Sequence, residues 1–278
     1  MSTTNLFVNT IRVTRQAIPD LLLKNGKRNG SIWKKEALRA ATTVGSLLES
    51  IQAVPSHTIL LGQCEDGFPF MMELGEPELG AILIGCDAGC GKTHQLQVMV
   101  DSAIRINSPH DVQIAILSPN PGEWESLQSN GASKKYIQDI LAWYDNNAER
   151  TIEELTLLAE ARRQGGERLG TDILLIMDDL KYIEDLSYEA QVNLHWLLEY
   201  GSQSGVWVIG TIDADLSKGF CYWIDTFRTR IIGRVLSSED ADILAMRSDS
   251  KASDLGHGMF KVWTGVRWLT YGLVPLGD

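Results

Sequence analysis

The run from Ala81 to His94 reads Ala-Ile-Leu-Ile-Gly-Cys-Asp-Ala-Gly-Cys-Gly-Lys-Thr-His, an apolar segment that breaks into a glycine-rich turn ending on Gly91-Lys92-Thr93. The residues after it, Leu96, Val98, Met99, Ala103 and Ile104, recur at helical spacing. A strand, a glycine loop and a helix in that order are what a polyphosphate cradle requires. Successive backbone N–H groups must wrap the phosphates, so side chains are in the way, and Gly89 and Gly91 remove them. The helix N-terminus adds partial positive charge. Lys92 is placed to reach β- and γ-phosphates, and the Thr93 hydroxyl to ligate Mg²⁺. Asp87, Ala88, Gly89, Cys90, Gly91, Lys92, Thr93 and His94 are therefore the candidates for contact with ATP. In the usual eight-residue pattern the first glycine falls at Cys86, with Gly85 just before it.

A second motif supplies acids. Ile173-Leu-Leu-Ile-Met177 reads as a buried strand and closes on Asp178-Asp179. An acid at the C-terminal tip of such a strand lies where α/β sheets bind ligands. Asp178 is then expected to hold Mg²⁺ through water, and Asp179 to orient or deprotonate the attacking water. Two ordinary turn aspartates would look the same in isolation. The Gly-Lys-Thr upstream is what favours the chemical reading.

The elements that must position these groups follow from length and pattern. The chain has 278 residues and is 44% hydrophobic, which suits one large α/β domain with an appendage. No run approaches a membrane span, and the N-terminus lacks a signal-peptide pattern. Cys64, Cys86, Cys90 and Cys221 show no metal-ligand spacing; within the phosphate loop neither zinc nor a disulfide suits ATP binding, so the expectation is a reduced, cytoplasmic protein. Net charge is −11, but residues 11–40 hold eight Lys/Arg against two acids, +6, which leaves −17 for the remainder. An acidic body argues against DNA coating the outer surface, while a basic arm or a narrow basic lining stays open, as does a solvated helix face.

Residues 1–55 read as a basic, helical N-terminal segment, with its second helix over 31–52, and residues 56–278 as the main domain. Strands are expected at 58–61, 68–72, 112–117, 172–177, 206–212 and 228–235, besides the one entering the phosphate loop. Helices are expected over 93–106, 137–163, 187–200 and 238–247, and a closing hairpin over 259–262 and 266–273. Strands alternating with helices imply a mainly parallel sheet covered on both faces.

In order along roughly residues 58–273, the chain resembles the FtsK/HerA superfamily of ring-shaped pumping ATPases, nearest the FtsK-type motor domain. Ser118-Pro-Asn-Pro-Gly-Glu-Trp124 is similar to that family's Asp-Pro-Lys-x-Gly-Glu turn. Thr229-Arg230-Ile231 with Arg234-Val235 is similar to its Thr-Arg-Ile-x-x-Arg-Val strand, and Leu255-Gly-His-Gly-Met259 to its Gly-x-Gly-Asp-Met ending. Cys86, Asp179 (usually Glu) and Ile212 (usually a γ-phosphate-sensing Gln) depart from it. The resemblance implies a RecA-like P-loop NTPase, plus the small N-terminal segment. It also implies a homohexameric ring with ATP and Mg²⁺ between subunits and an arginine acting across the interface. Arg228, Arg230 and Arg234 are the candidates for that arginine, Arg230 and Arg234 foremost. Substrate-facing loops are implied at 164–171, with Arg162, Arg163 and Arg168, and at 213–220, with Lys218. The expected activity is ATP-driven movement of double-stranded DNA. The rivals are an FtsK-like ATPase that moves protein and a nucleotide-binding structural subunit with little turnover.

Overall fold

A computed structural model of the chain describes residues 43–51, 54–129, 131, 133–165 and 170–277. The basic stretch 11–40 and Arg168 lie outside them. Among the described residues there are seven α-helices: α1 (Val44–Glu49), α2 (Lys92–Ile106), α3 (Glu125–Ser129), α4 (Asn146–Gly165), α5 (Tyr188–Tyr200), α6 (Cys221–Ile224) and α7 (Ser238–Ala245). The same residues hold ten strands, β1 (Thr58–Cys64), β2 (Pro69–Glu73), β3 (Ile82–Cys86), β4 (Val112–Ser118), β5 (Ile137–Ala142), β6 (Asp172–Met177), β7 (Val206–Asp213), β8 (Thr229–Ile232), β9 (Met259–Trp263) and β10 (Trp268–Gly272).

The strands form one sheet in the order β2-β1-β10-β9-β8-β3-β7-β6-β4-β5. The stretch from β8 to β5 is parallel throughout. The closing hairpin and the early strand pair extend the same sheet antiparallel, through β8–β9 and β10–β1. The continuous apolar runs of β3, β4, β6 and β7 are what a sheet buried on both faces requires, and their residues are almost all buried. Helix α2 is enclosed on two sides. Leu96, Met99, Val100 and Ala103 join the main core. Val98 packs with Val44 and Leu47 of α1, Leu60 and Val274 in a second cluster. The described end of the N-terminal segment therefore packs onto the main domain.

One expectation is overturned. Residues 137–142 are a parallel edge strand beside β4, and the long helix begins only at Asn146. Ile137, Ile140 and Leu141 stand at helical spacing because the β4–β5 register shifts at Ile114/Ala115, and the irregularity breaks the two-residue alternation of a strand. Helix α5 starts where expected: the Ser187 side chain accepts from Ala190 N–H at 3.3 Å. Ser187 N–H and Oγ also donate to Glu149 of α4, each at 2.8 Å, which joins the two helices.

Candidate nucleotide site

The sheet order brings together tips that are far apart in sequence. In the parallel region β3, β7, β6 and β4 are neighbours, so Cys86, Asp213, Asp178 and Ser118 share the C-terminal edge. Residue Cys86 is directly opposite Asp213 in the register. The glycine loop leaves β3 at this edge and enters α2, whose N-cap Gly91 has φ of 103° and no side-chain cap. A side chain at Gly91 would be strained, and its Cβ would meet Leu273 at 2.9 Å. Gly89 also has positive φ, 74°, with open space where a Cβ would stand. The loop is tied from outside at two points. Asp87 N–H donates to Arg234 O at 2.9 Å, and its carboxylate accepts from Leu236 N–H at 3.0 Å. His257 Nε2 lies 3.0 Å from Gly89 O. Ala88 is exposed at the turn, and His94 Nε2 lies 3.0 Å from Val274 O.

Asp178 is the most enclosed acid of the site, 4% exposed. Its carboxylate accepts from Thr93 Oγ1 at 3.1 and 3.2 Å, from Thr211 Oγ1 at 3.0 Å and from Ser118 Oγ at 3.5 Å. Burial pushes its pKa up, the Thr211 and Thr93 hydrogen bonds pull it back, and the nearby charges of Asp179 and Glu123 push it up again. Trp143 Nε1–H donates to Asp178 O at 2.7 Å and fixes the strand end. The donor set of hydroxyls and one carboxylate is all oxygen, as a hard divalent cation prefers. Among the described residues no group of three or more His, Cys, Asp or Glu is placed to hold a metal. A Mg²⁺ ion held by Thr93 and Asp178 therefore needs phosphate oxygens and water to complete its shell, which fits a nucleotide-borne ion. Asp178→Asn should keep the fold at or above parental thermal stability at neutral pH, since it removes a charge that burial penalises, while Mg²⁺-dependent nucleotide binding falls. Melting curves and titrations with and without Mg²⁺ separate the two effects.

Lys92 reaches across the loop to Asp213: Nζ pairs with Oδ1, and Cys86 O and Asp87 O lie at 3.4 and 3.3 Å. Asp179 is turned elsewhere. Its backbone is left-handed, φ 66°, its N–H donates to Thr211 Oγ1 at 2.7 Å, and its carboxylate pairs with Lys181 Nζ at 2.7 Å. Lys92, Thr93, Asp178 and the loop are thus brought together, whereas the Asp179 carboxylate is engaged beside them. Thr211 and Asp213 were not singled out from sequence as site residues. The available signal was an acid directly after the apolar run of β7, with Thr211 two residues earlier on the same face, while Ile212 between them is fully buried in the core.

The arginines separate by location. Arg230 is 7% exposed, and its guanidinium donates to Phe227 O (3.3 Å), Ile243 O and Leu244 O (both 3.0 Å) and Ile224 O (2.6 Å). Burial pulls its pKa down to about 10. It caps the C-terminal carbonyls of α6 and α7 within its own subunit, so the structure does not present it to a neighbour. Arg228 is exposed at the opposite sheet edge, where its N–H meets Ala81 O. Arg234 is exposed beside the phosphate loop. The basic residues assigned to substrate loops are also engaged. Arg162 donates to Ser204 O and Thr171 O, Arg163 stacks over Tyr200 at 4.6 Å, and Lys218 pairs with Glu239 at 2.7 Å.

Two of the cysteines are neighbours within the loop. The structure joins Cys86 and Cys90 through their sulfurs, with Cα atoms 6.4 Å apart, while Cys64 and Cys221 lie outside that pair. The Cα separation is within the range a disulfide spans.

No protein-family model and no curated protein matches the chain. Solved structures do. Thermomonospora curvata EccC (ATPases 2 and 3), in complex with a signal sequence peptide, is 14% identical with a TM-score of 0.66, over 86% of this chain and 43% of that one. The pCW3 conjugation coupling protein TcpA, a monomer form with ATPγS, is 17% identical with a TM-score of 0.61, over 81% and 67%. EssC (ATPases 2 and 3) from Geobacillus thermodenitrificans is 14% identical with a TM-score of 0.64, over 81% and 46%. The chain spans less than half the length of the EccC and EssC chains it matches. At these identities the likeness is one of fold, and this chain shares with those structures an α/β fold built on a mainly parallel sheet, of the RecA-like P-loop kind.

Proposed function

We propose that the chain is the ATP-hydrolysing subunit of a cytoplasmic, ring-shaped translocase, a hexamer by resemblance, that moves double-stranded DNA. The observation that carries the reading is the placement of Lys92, Thr93 and Asp178 around one uncapped helix N-terminus at the sheet's C-terminal edge. Lys92 would neutralise β- and γ-phosphate charge, and Thr93 and Asp178 would hold Mg²⁺, whose Lewis acidity stabilises phosphoryl transfer. The edge also carries Asp178, Asp179 and Asp213, so a polyphosphate needs that divalent charge to enter. Asp179 orients the attacking water once its pair with Lys181 opens. Arg234, exposed next to the loop, is the arginine free to serve an assembled site.

A second reading, movement of a polypeptide, is supported by a specific observation: Arg162, Arg163 and Lys218 spend their charge within the subunit. One experiment tests both. ATPase activity should rise more than linearly with protein concentration as rings form, and double-stranded DNA should stimulate it further. Stimulation by an unfolded polypeptide and not by DNA moves the assignment to protein transport. Activity strictly proportional to concentration, with a monomeric mass in Mg-ATP and DNA, sinks the ring.

A further inference from the structure

Two sulfurs within the phosphate loop itself are a feature that nucleotide binding does not explain. Cys86 ends β3 and is fully buried, and Cys90 is 6% exposed. They occupy the first and fifth positions of the eight-residue loop pattern, and their sulfurs meet. Both side chains belong to the main hydrophobic cluster, so the bridge lies on the core side of the loop. The opposite side, above Gly89, is open. The bridge therefore leaves the phosphate side free while closing residues 86–90 into a covalent ring.

We propose that Cys86 and Cys90 are a reversible disulfide site whose oxidation state sets nucleotide affinity, the bridged form binding ATP more tightly. The inference rests on the phosphate-loop reading above. Its direction follows from packing. When the bridge opens, the two thiols must separate to van der Waals contact. Cys86 has little room to move, because it is fully buried and Gly233 packs against it so closely that a Cβ there would lie 2.8 Å from Cys86 Cβ and 3.2 Å from its Sγ. The displacement falls on Cys90, which directly precedes Gly91 and the N-terminus of α2. Moving Cys90 disturbs the N–H groups that face the phosphates. The bridge holds them in advance, and a preorganised cradle binds more tightly because less is ordered on binding.

The oxidant class is a low-molecular-weight disulfide such as oxidised glutathione. The thiolate of Cys90, the less buried of the pair, attacks one sulfur of the small disulfide and releases one thiolate. The Cys86 thiolate then attacks Cys90 Sγ in the mixed disulfide and expels the second. The protein loses two protons and two electrons, and the small disulfide becomes two thiols. In a reducing compartment such a pair is a regulatory bond and not a permanent staple.

The full chain is equilibrated with oxidised glutathione or with a phosphine reductant, then unfolded and treated with a maleimide. Cys64 and Cys221 lie outside the Cys86–Cys90 pair, so the bridged chain should take two labels and the reduced chain four. A fluorescent ATP analogue should bind about tenfold more tightly to the oxidised form. Cys90→Ser should bind equally under both conditions, while Cys64→Ser and Cys221→Ser should keep the response. Four labels after oxidation, or equal affinity in the bridged and reduced forms, overturns the proposal. A chain that bridges but binds nucleotide in neither form overturns it together with the phosphate-loop reading. Failure to bridge with intact nucleotide binding overturns the redox site alone.

Discussion

Lys92→Ala lowers ATP affinity by about 10²-fold or more and abolishes turnover, with the fold intact. The lysine's ammonium meets polar groups, Asp213 Oδ1, Cys86 O and Asp87 O, and the residue lies outside the main hydrophobic cluster, so its removal leaves that cluster intact. The carboxylate left behind has water to hydrate it, since the Asp213 side chain is 29% exposed. Stability should therefore stay within about 1 kcal/mol of the parent. The loss in binding is large because a charge-assisted contact to phosphate within a partly closed loop is worth about 3 kcal/mol. Asp213→Asn acts in the opposite direction. It releases Lys92 from a partner that ATP must otherwise displace, so affinity rises several-fold. Titration with a fluorescent ATP analogue, alongside thermal melts, checks both. A Lys92→Ala protein with parental affinity and turnover removes the phosphate-loop assignment.

Arg230→Ala unfolds far more easily than any substitution at the nucleotide site. Four carbonyl oxygens, from Phe227, Ile243, Leu244 and Ile224, lose charge-assisted donors in a buried position. The loss is on the order of 3 kcal/mol, and the freed carbonyls have no ready access to water. Arg230→Lys rescues little, because an ammonium cannot match the fork of a guanidinium that reaches four acceptors. Urea unfolding at neutral pH measures the shift in midpoint. Parental stability with selective loss of ATPase activity would contradict the structural role and return Arg230 to the set of interface arginines.

The parts of this site that are legible in the sequence are those with local signals. Ala81 to His94 carries its own strand, turn glycines and helix, and Ile173 to Asp179 carries a buried strand with an acid at its tip. Both motifs lie on elements where the pattern places them. What is not legible depends on strand adjacency. Asp213 meets Lys92 only because β7 pairs with β3, more than a hundred residues away in sequence. Arg230 reads as an interface arginine from its place in the Thr229-Arg230-Ile231 strand. Yet β8 is buried on both faces, and the α6 and α7 carbonyls accept its charge. The strand at 137–142 is disguised by its register shift. Cys86 and Cys90 read as loop residues until the turn between them brings their sulfurs together.

The central claim is that one Mg-ATP binds at Lys92, Thr93 and Asp178. The most direct measurement is a calorimetric titration of the full chain with ATP, with and without Mg²⁺, repeated on Lys92→Ala. The account predicts one site per chain, affinity that depends on Mg²⁺, and no measurable heat of binding from the variant. Binding that is indifferent to both Mg²⁺ and Lys92, or no binding by the parent, would contradict it.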